Sequence, residues 1–335
     1  MTQTLTLFYL DEQPVYALPG ETVLDALIRH GHEMGHSCTP GNCQACLLKH
    51  LDGPLPPAGQ IGLPPTLKQQ GMVLACNCPA RANMHLVSNI EQQLYRARLV
   101  RRHSLNDDVS RFVFAAPPGY AFQPGQCVSI RNPAGVSRSY AIASGDDANS
   151  FSLHIRRKPN GLFSSWLHEI LSPGDEIQLT EPWGRCRYRS AYGQDELLIF
   201  AFDTGIGAAV AMVEEALARG HEADIYLYHW GRSREDLYLH KPLLELMLRE
   251  RRFYYQGLIS NQGDCDRIDH KRIQLREATE VLAQKIRVSR WQRLFLFGDP
   301  GMVAKMAITP RLRLLGMDRV HRVSFDYRDL RRLPR

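Results

Sequence analysis

Apolar and polar positions fall into three successive textures along the chain. In the first, residues 4–10 (Thr-Leu-Thr-Leu-Phe-Tyr-Leu) read as a strand, Asp11-Glu12-Gln13-Pro14 as a turn, and Val15-Tyr-Ala-Leu18 as the start of a second strand. Pro19-Gly20-Glu21 then opens a helix with Val23, Leu24, Leu27 and Ile28 on one face, and Gly31 ends it. From Tyr95 the texture changes to short alternating runs, Arg96-Ala-Arg-Leu-Val-Arg101 and Ser110-Arg-Phe-Val-Phe114. Pro117-Pro-Gly, Pro124-Gly and Asn132-Pro-Ala-Gly break these runs, and the pattern predicts a small antiparallel barrel. After Tyr192 the strands become continuous apolar runs: Leu197–Phe202, Ala223–Trp230, Leu294–Phe297 and Val320–Phe325. Helical patterns separate them, the first with Ile206, Val210, Val213 and Leu217 on one face. Alternating β and α signals predict a doubly wound parallel α/β sheet.

A length of 335 residues accommodates these units as separate domains. The boundaries read as 1–90, 95–190 and 191–325, with a basic tail at 326–335 carrying Arg328, Arg331, Arg332 and Arg335. No uninterrupted apolar run approaches the roughly 18 residues of a membrane span. The N-terminus lacks the charged and apolar regions of a secretory signal, so the expected location is the cytoplasm. The net charge of +6 is unevenly spread. Residues 1–90 hold four basic and six acidic side chains, a balance of −2, which leaves +8 for the remainder. An acidic front and a basic body attract each other, which suits modules that exchange electrons. The basic residues are dispersed and form no nucleic-acid motif, so no nucleic-acid partner is expected.

The chemistry begins at Cys38-Thr-Pro-Gly-Asn-Cys43-Gln-Ala-Cys46, with Cys76 following after 29 intervening residues. Three thiolates on one tight loop and a fourth returning from elsewhere can enclose two bridged irons, and C-x4-C-x2-C is the plant-type 2Fe-2S spacing. Gly35 and Gly41 let the loop bend, and Pro40 stiffens it. A four-cysteine zinc site would normally use two C-x2-C knuckles, and only one is present. Eight cysteines in 335 residues are too sparse for a disulfide scaffold. Cys38, Cys43, Cys46 and Cys76 are therefore the candidate metal ligands, and Cys78 is a bystander able to substitute if Cys76 were lost. Hairpin, helix and cysteine loop follow the order of the β-grasp ferredoxins, which residues 1–90 resemble. Leu74-Ala-Cys76-Asn-Cys78-Pro79 is similar to that family's closing L-A-C-x-C-x-P run.

The second texture carries Pro124-Gly-Gln, then Arg138-Ser-Tyr-Ala141, then Gly161-Leu-Phe-Ser164, the last glycine 23 residues after the arginine. This ordered set resembles the P-G-Q, R-x-Y-S and G-x-x-S segments of ferredoxin–NADP reductase-type flavoproteins, whose FAD-binding barrel has six antiparallel strands. An arginine suits a pyrophosphate by paired hydrogen bonds, and a tyrosine two residues on lies on the same side of its strand. The resemblance assigns Arg138, Ser139, Tyr140, Ala141, His154, Ile155, Arg156, Gly161 and Ser164 to FAD. Ala141 stands where that family commonly has a hydroxyl near the reacting flavin nitrogen.

In the third texture, ligands are expected at the C-terminal ends of parallel strands, here Asp203-Thr-Gly-Ile-Gly207 and Gly298-Asp-Pro-Gly-Met302. Both loops resemble the family's nicotinamide-nucleotide sites. They imply Thr204, Gly205, Ile206, Gly298, Asp299, Pro300 and Met302 as contacts, with Arg232 toward the adenosine ribose. Asp203 departs from the pattern by setting a negative charge where a pyrophosphate approaches a helix N-terminus, unless the carboxylate turns away. Phe297 stands in place of a cysteine often found over the nicotinamide.

Taken whole, the chain resembles the fused reductases of bacterial oxygenases and the CDP-6-deoxy-glucoseen reductases. The resemblance implies an oxidoreductase carrying electrons from NADH, with NADPH left open, through FAD and a 2Fe-2S cluster. The acceptor would be a terminal oxygenase or another electron-accepting protein. Tyr140, Ala141, Thr204 and Phe325 are the implied residues at the reacting centre. Two rival readings are an electron carrier whose nicotinamide site has lost function and a free-flavin or ferric reductase.

Overall fold

A computed structural model describes residues 5–32, 34, 46–63, 65–88, 94–134, 136–145, 147, 149–184, 186–260, 272–287 and 291–324. The first unit contains β1 (Thr6–Leu10), β2 (Gln13–Ala17), α1 (Val23–Arg29), β3 (Leu47–Asp52), α2 (Pro65–Gln69), β4 (Met72–Leu74) and β5 (His85–Val87). Its sheet runs β2-β1-β5-β3-β4, with β1 and β5 parallel at the centre. That is the expected β-grasp. Val23, Leu24, Ala26 and Leu27 of α1 are buried against the sheet, while Ile28 is only partly covered. The helix starts later than Pro19-Gly20-Glu21 suggests, because Thr22 and Asp25 form a reciprocal capping box. Glu21 instead holds Arg29 at 2.9 Å.

The second unit contains β6 (Tyr95–Ser104), β7 (Val109–Ala115), β8 (Cys127–Arg131), β9 (Ser137–Ala141), β10 (Ala143–Ser144), β11 (Ser150–Arg156), α3 (Leu162–Ser165) and β12 (Glu176–Leu179). It is a curled antiparallel sheet in the order β10-β11-β7-β6-β12-β8-β9. Seven strands are seen where six were expected. The extra one arises because the strand through Tyr140 splits at Ile142. Before the split Cys127 pairs with Ala141, and after it Ala143 pairs with Ser152. Ile142 bonds through its own N–H and C=O to Gln126 and Gly125. One bent strand thus reaches both ends of the sheet and curls it around a core that includes Phe112, Phe114, Phe151 and Leu153.

The third unit contains β13 (Glu196–Phe202), α4 (Gly205–Ala218), β14 (Ile225–Gly231), α5 (His240–Arg249), β15 (Phe253–Ile259), β16 (Ile273–Leu275), α6 (Ala278–Lys285), β17 (Gln292–Gly298), α7 (Pro300–Ala307) and β18 (Val320–Ser324). Its strands are all parallel, in the order β16-β15-β14-β13-β17-β18. Leu197, Ile199 and Ala201 of β13 face the α4 and α5 side, and Leu198, Phe200 and Phe202 face the α6 and α7 side. Burial on both faces explains the continuous apolar runs. The strand order reverses between β13 and β17, which makes their C-terminal ends the expected ligand crevice. Gly298 is required there. Its φ is +117°, and a Cβ would fall 1.9 Å from the Phe202 carbonyl oxygen. The second and third units share buried apolar surface: Cys127, Ala141, Cys186 and Tyr188 belong to the same core as α4. Among the described residues, no helix is long and apolar enough to cross a membrane.

Candidate functional site

Two of the four predicted metal ligands, Cys38 and Cys43, lie outside the described residues, as do Gly35, Pro40 and Gly41. Cys46 and Cys76 are brought together. The antiparallel pairing of Leu47 with Leu74 sets the residue before β3 beside the residues after β4. Ala75 N–H donates to the Cys46 carbonyl at 3.0 Å, and Cys76 N–H donates to Cys46 Sγ at 3.5 Å. A backbone N–H aimed at sulfur favours its thiolate form. Two cysteines brought together in this way, one sulfur receiving the other's backbone N–H, fit two of the four ligands of a 2Fe-2S cluster. Cys78 is turned elsewhere. It packs against Gly59, where a Cβ would fall 2.9 Å from its sulfur, and burial pushes its thiol up to about 11.

The barrel and the nucleotide unit enclose a cavity of about 420 Å³, a size ordinary for a cofactor site. Arg138, Ser139, Tyr140, Ala141, His154, Ile155, Arg156, Gly161, Ser164, Thr204, Asp299 and Pro300 line it, all named from the sequence. Lys158, Pro159, Asn160, Phe163 and Asp203 also line it. Sequence reasoning missed Lys158 and Phe163 as contacts, although Lys158 lies three residues before the G-x-x-S segment and Phe163 within it.

The geometry of the barrel wall follows from strand alternation. Arg138 and Tyr140 share one side of β9. The Tyr140 ring stacks on Phe163 at 6.2 Å, and Arg138 Nη1 donates to the Ser137 carbonyl at 2.7 Å. Ser139 is paired across the strands with the Ser129 hydroxyl at 2.9 Å. Ser164 Oγ accepts the Lys158 N–H and donates to the Gly161 carbonyl, each at 3.1 Å, so it ties the loop that borders the cavity. A Cβ on Gly161 would fall 2.6 Å from that oxygen. The helix after Gly161 has a single regular turn, α3, which widens into a π-helical turn at Trp166–Ile170. A cavity with a guanidinium, an ammonium group and an aromatic ring in its wall fits a phosphate-bearing aromatic cofactor such as FAD.

Other predicted contacts are not on the cavity wall. Ile206 is fully buried in the core with Leu197 and Ile199. Gly205 and Gly298 form the junction beneath the cavity, where a Cβ on Gly205 would fall 2.5 Å from the Phe297 carbonyl oxygen. Met302 packs on the opposite core, and its N–H donates to the Asp299 carboxylate at 2.9 Å. Arg232 is exposed, and its backbone N–H is held by Asp236 at 3.0 Å. Phe297 is fully buried in the core. Phe325 and the tail lie outside the described residues. Asp203, flagged as an opposing charge, is turned onto Arg156 with a contact of 2.7 Å.

Three histidines are held neutral by burial. His154 and His229 are pushed down to about 3, with Arg111 also opposing charge on His154, and His321 is pushed down to about 4. Their folded values lie below the ordinary 6.5, so the unfolded chain binds more protons in acid. The stability they contribute is fully present above pH 6.5 and is lost as pH falls toward 3. At about 1.4 kcal/mol per unit, His229 alone accounts for a loss of about 3 kcal/mol by pH 4. Calorimetric melting should therefore decline steadily between pH 6.5 and 4, and His229→Gln should flatten that slope. An equal slope in both proteins would refute the assignment.

Comparison with known proteins agrees with this architecture. Residues 9–81 match the 2Fe-2S iron-sulfur cluster binding domain family, and residues 96–188 match the oxidoreductase FAD-binding domain family. The reductase subunit of an aromatic O-demethylase from Amycolatopsis is 26% identical over 321 residues, covering 92% of this chain and 94% of that protein. The ferredoxin–NAD(P)(+) reductase component of the naphthalene 1,2-dioxygenase system of Pseudomonas putida is 24% identical, covering 85% of this chain and 87% of that protein. A crystal structure of an Amycolatopsis cytochrome P450 reductase superposes with a TM-score of 0.63 at 25% identity, covering 96% of this chain and 98% of that one. The chain is thus an oxidoreductase that joins a 2Fe-2S iron-sulfur cluster binding domain, an oxidoreductase FAD-binding domain and a C-terminal parallel-sheet domain, an architecture similar to that of ferredoxin reductases.

Proposed function

We propose that this chain is the reductase component of an oxygenase system, oxidising NADH and delivering electrons singly to a separate terminal oxygenase. The observation that carries this reading is the shared cavity. Barrel residues Arg138 and Tyr140 line the same space as Thr204, Asp299 and Pro300 from the two strand ends at the switch point. FAD held by Arg138, Tyr140 and Lys158 would supply the conversion of a reduced nicotinamide's electron pair into single electrons, the kind that a 2Fe-2S cluster carries.

The chain's own groups do the rest. Arg138 and Lys158 supply positive charge for a pyrophosphate. Tyr140 gives a ring face for the flavin and is itself braced by Phe163. Ala141 leaves room, and no hydroxyl, on the barrel wall beside the nucleotide unit. Thr204, the N-cap of α4, lines the cavity from the other side. The relatives named above serve an O-demethylase and a dioxygenase, which supports an oxygenase as acceptor here. The cytoplasm, where thiolate-bound clusters persist, is the location this reading implies.

Two departures that favoured a mere electron carrier lose their force. The Asp203 charge is met by Arg156, and Phe297 is a core residue. The test is an anaerobic titration of the cofactor-replete protein with NADH and then NADPH, followed in the visible range. Overlapping flavin and iron–sulfur bands should both bleach on addition of NADH. Bleaching by dithionite alone would replace this reading with the carrier.

A further inference from the structure

Strand β11 presents His154 and Arg156 two residues apart, hence on one side. That side faces the nucleotide unit. The Arg156 guanidinium is the hub of four elements. Its Nε and Nη2 both contact Asp203 Oδ1 at 2.7 Å, and Nη2 also meets Asp236 Oδ1 at 2.7 Å. Nη1 lies 3.7 Å from Asp108 of the β6–β7 turn. Asp203 ends β13, and Asp236 lies in the loop after β14, where its second oxygen takes the N–H groups of Arg232 at 3.0 Å and Ser233 at 3.4 Å. One barrel side chain therefore holds both loops at the C-terminal ends of neighbouring strands.

His154 reinforces the contact. Its Nδ1 lies 3.2 Å from the Tyr238 hydroxyl. A Cβ on Gly207 would fall 2.6 Å from its ring, so the first turn of α4 rests directly on the imidazole. Asp203 keeps its place at φ 53°, a backbone region that favours glycine. A strained residue holding an ion pair across two domains beside the cavity points to function rather than to simple packing.

We infer that Arg156, Asp203 and Asp236 form a clasp that positions the nucleotide loops against the flavin wall, making them positioning residues for coenzyme oxidation. The inference rests on the reading of the cavity as a joint flavin and nicotinamide site. It assigns Arg156 a partner set of carboxylates in place of the FAD contact implied by the resemblance. It also accounts for Asp203, because the aspartate and the arginine complete each other. Burial opposes the charge on Arg156, and Asp203 and Asp236 outweigh that cost, so the guanidinium is held charged more firmly than usual.

The experiment compares the wild type with Arg156→Met, Arg156→Lys and Asp236→Asn as cofactor-replete proteins. Asp236 does not line the cavity, so its replacement tests the clasp without touching a cofactor. Stopped-flow reduction of the flavin over a range of NADH concentrations separates the limiting rate from the apparent affinity. Flavin content and reduction by dithionite are recorded alongside. The limiting rate should fall about a hundredfold in Arg156→Met and about tenfold in Asp236→Asn, the scale of an ångström of misplacement. Arg156→Lys should recover part of it, with flavin content and dithionite reduction unchanged throughout. Limiting rates within twofold of the wild type in both Arg156→Met and Asp236→Asn would overturn the clasp alone. A loss of rate that only tracks lost flavin would also overturn it, making Arg156 a flavin ligand. A wild type that neither NADH nor NADPH reduces would remove the coenzyme reading and the clasp together.

Discussion

Replacing Cys46 or Cys76 by serine is expected to abolish the iron–sulfur absorption and the delivery of electrons to a one-electron protein acceptor. Flavin reduction by NADH should survive. The two cysteines come together because β3 and β4 pair in a fixed register, and Cys76 N–H donates to Cys46 Sγ at 3.5 Å. Cys78, two residues from Cys76, is the natural substitute by sequence alone. Its thiol is instead buried against Gly59 and held protonated, with burial raising it to about 11. Cys76→Ser should therefore not be rescued by Cys78, and Cys78→Ala should keep the iron content of the wild type. Since four thiolates define the centre, acceptor reduction should drop roughly a hundredfold or more in either ligand variant. Iron content, visible spectra and turnover with a protein acceptor check this. A Cys76→Ser protein with full iron and full turnover would remove Cys76 from the ligand set. The ferredoxin unit has its own core, built on Phe8, Leu27, Leu48 and Val73, so the loss should stay local.

The parts of this molecule that were legible in the sequence are those encoded by neighbours along the chain. Cysteine spacing constrains a loop directly. The switch from alternating to continuous apolar runs marks the change from a curled antiparallel sheet to one buried on both faces. The parts that were not legible depend on partners far apart. The split of the Tyr140 strand at Ile142 is set by which strands end up at the sheet edges. Arg156 meets Asp203 and Asp236 across 47 and 80 residues, so neither the spacing nor the local charge pattern reveals the pairing. Motif matching pointed to the loops after β13 and β17, of which Thr204, Asp299 and Pro300 line the cavity while Ile206 and Met302 pack in the cores. The helical periodicity already placed Ile206 on an apolar face with Val210 and Val213, and the core is where it lies. A motif fixes where the backbone goes; the phase of the element decides which side chains reach the ligand.

Arg138→Ala should yield a protein that keeps its iron–sulfur bands and loses FAD on gel filtration. Arg138 and Tyr140 project from the same side of β9, and both line the cavity. The Tyr140 ring is braced by Phe163 at 6.2 Å, so the aromatic wall survives the substitution and the change isolates the charge. Truncating one member of a buried charge-assisted contact costs about 2–5 kcal/mol, which corresponds to FAD binding weaker by roughly 30- to 4,000-fold. Arg138→Lys keeps the charge without the planar fork and should fall between the two. The same experiment reads thermal stability. A ligand at a hundred times its dissociation constant stabilises the folded state by about 2.7 kcal/mol, so added FAD should raise the melting temperature of the apo wild type. At the same concentration it should scarcely move that of Arg138→Ala. The melting temperatures of the two apo proteins without FAD give the baseline from which each shift is read. If Arg138→Ala instead purifies with a full complement of FAD, the pyrophosphate must be held from elsewhere on the wall. Lys158 would be the next residue to replace.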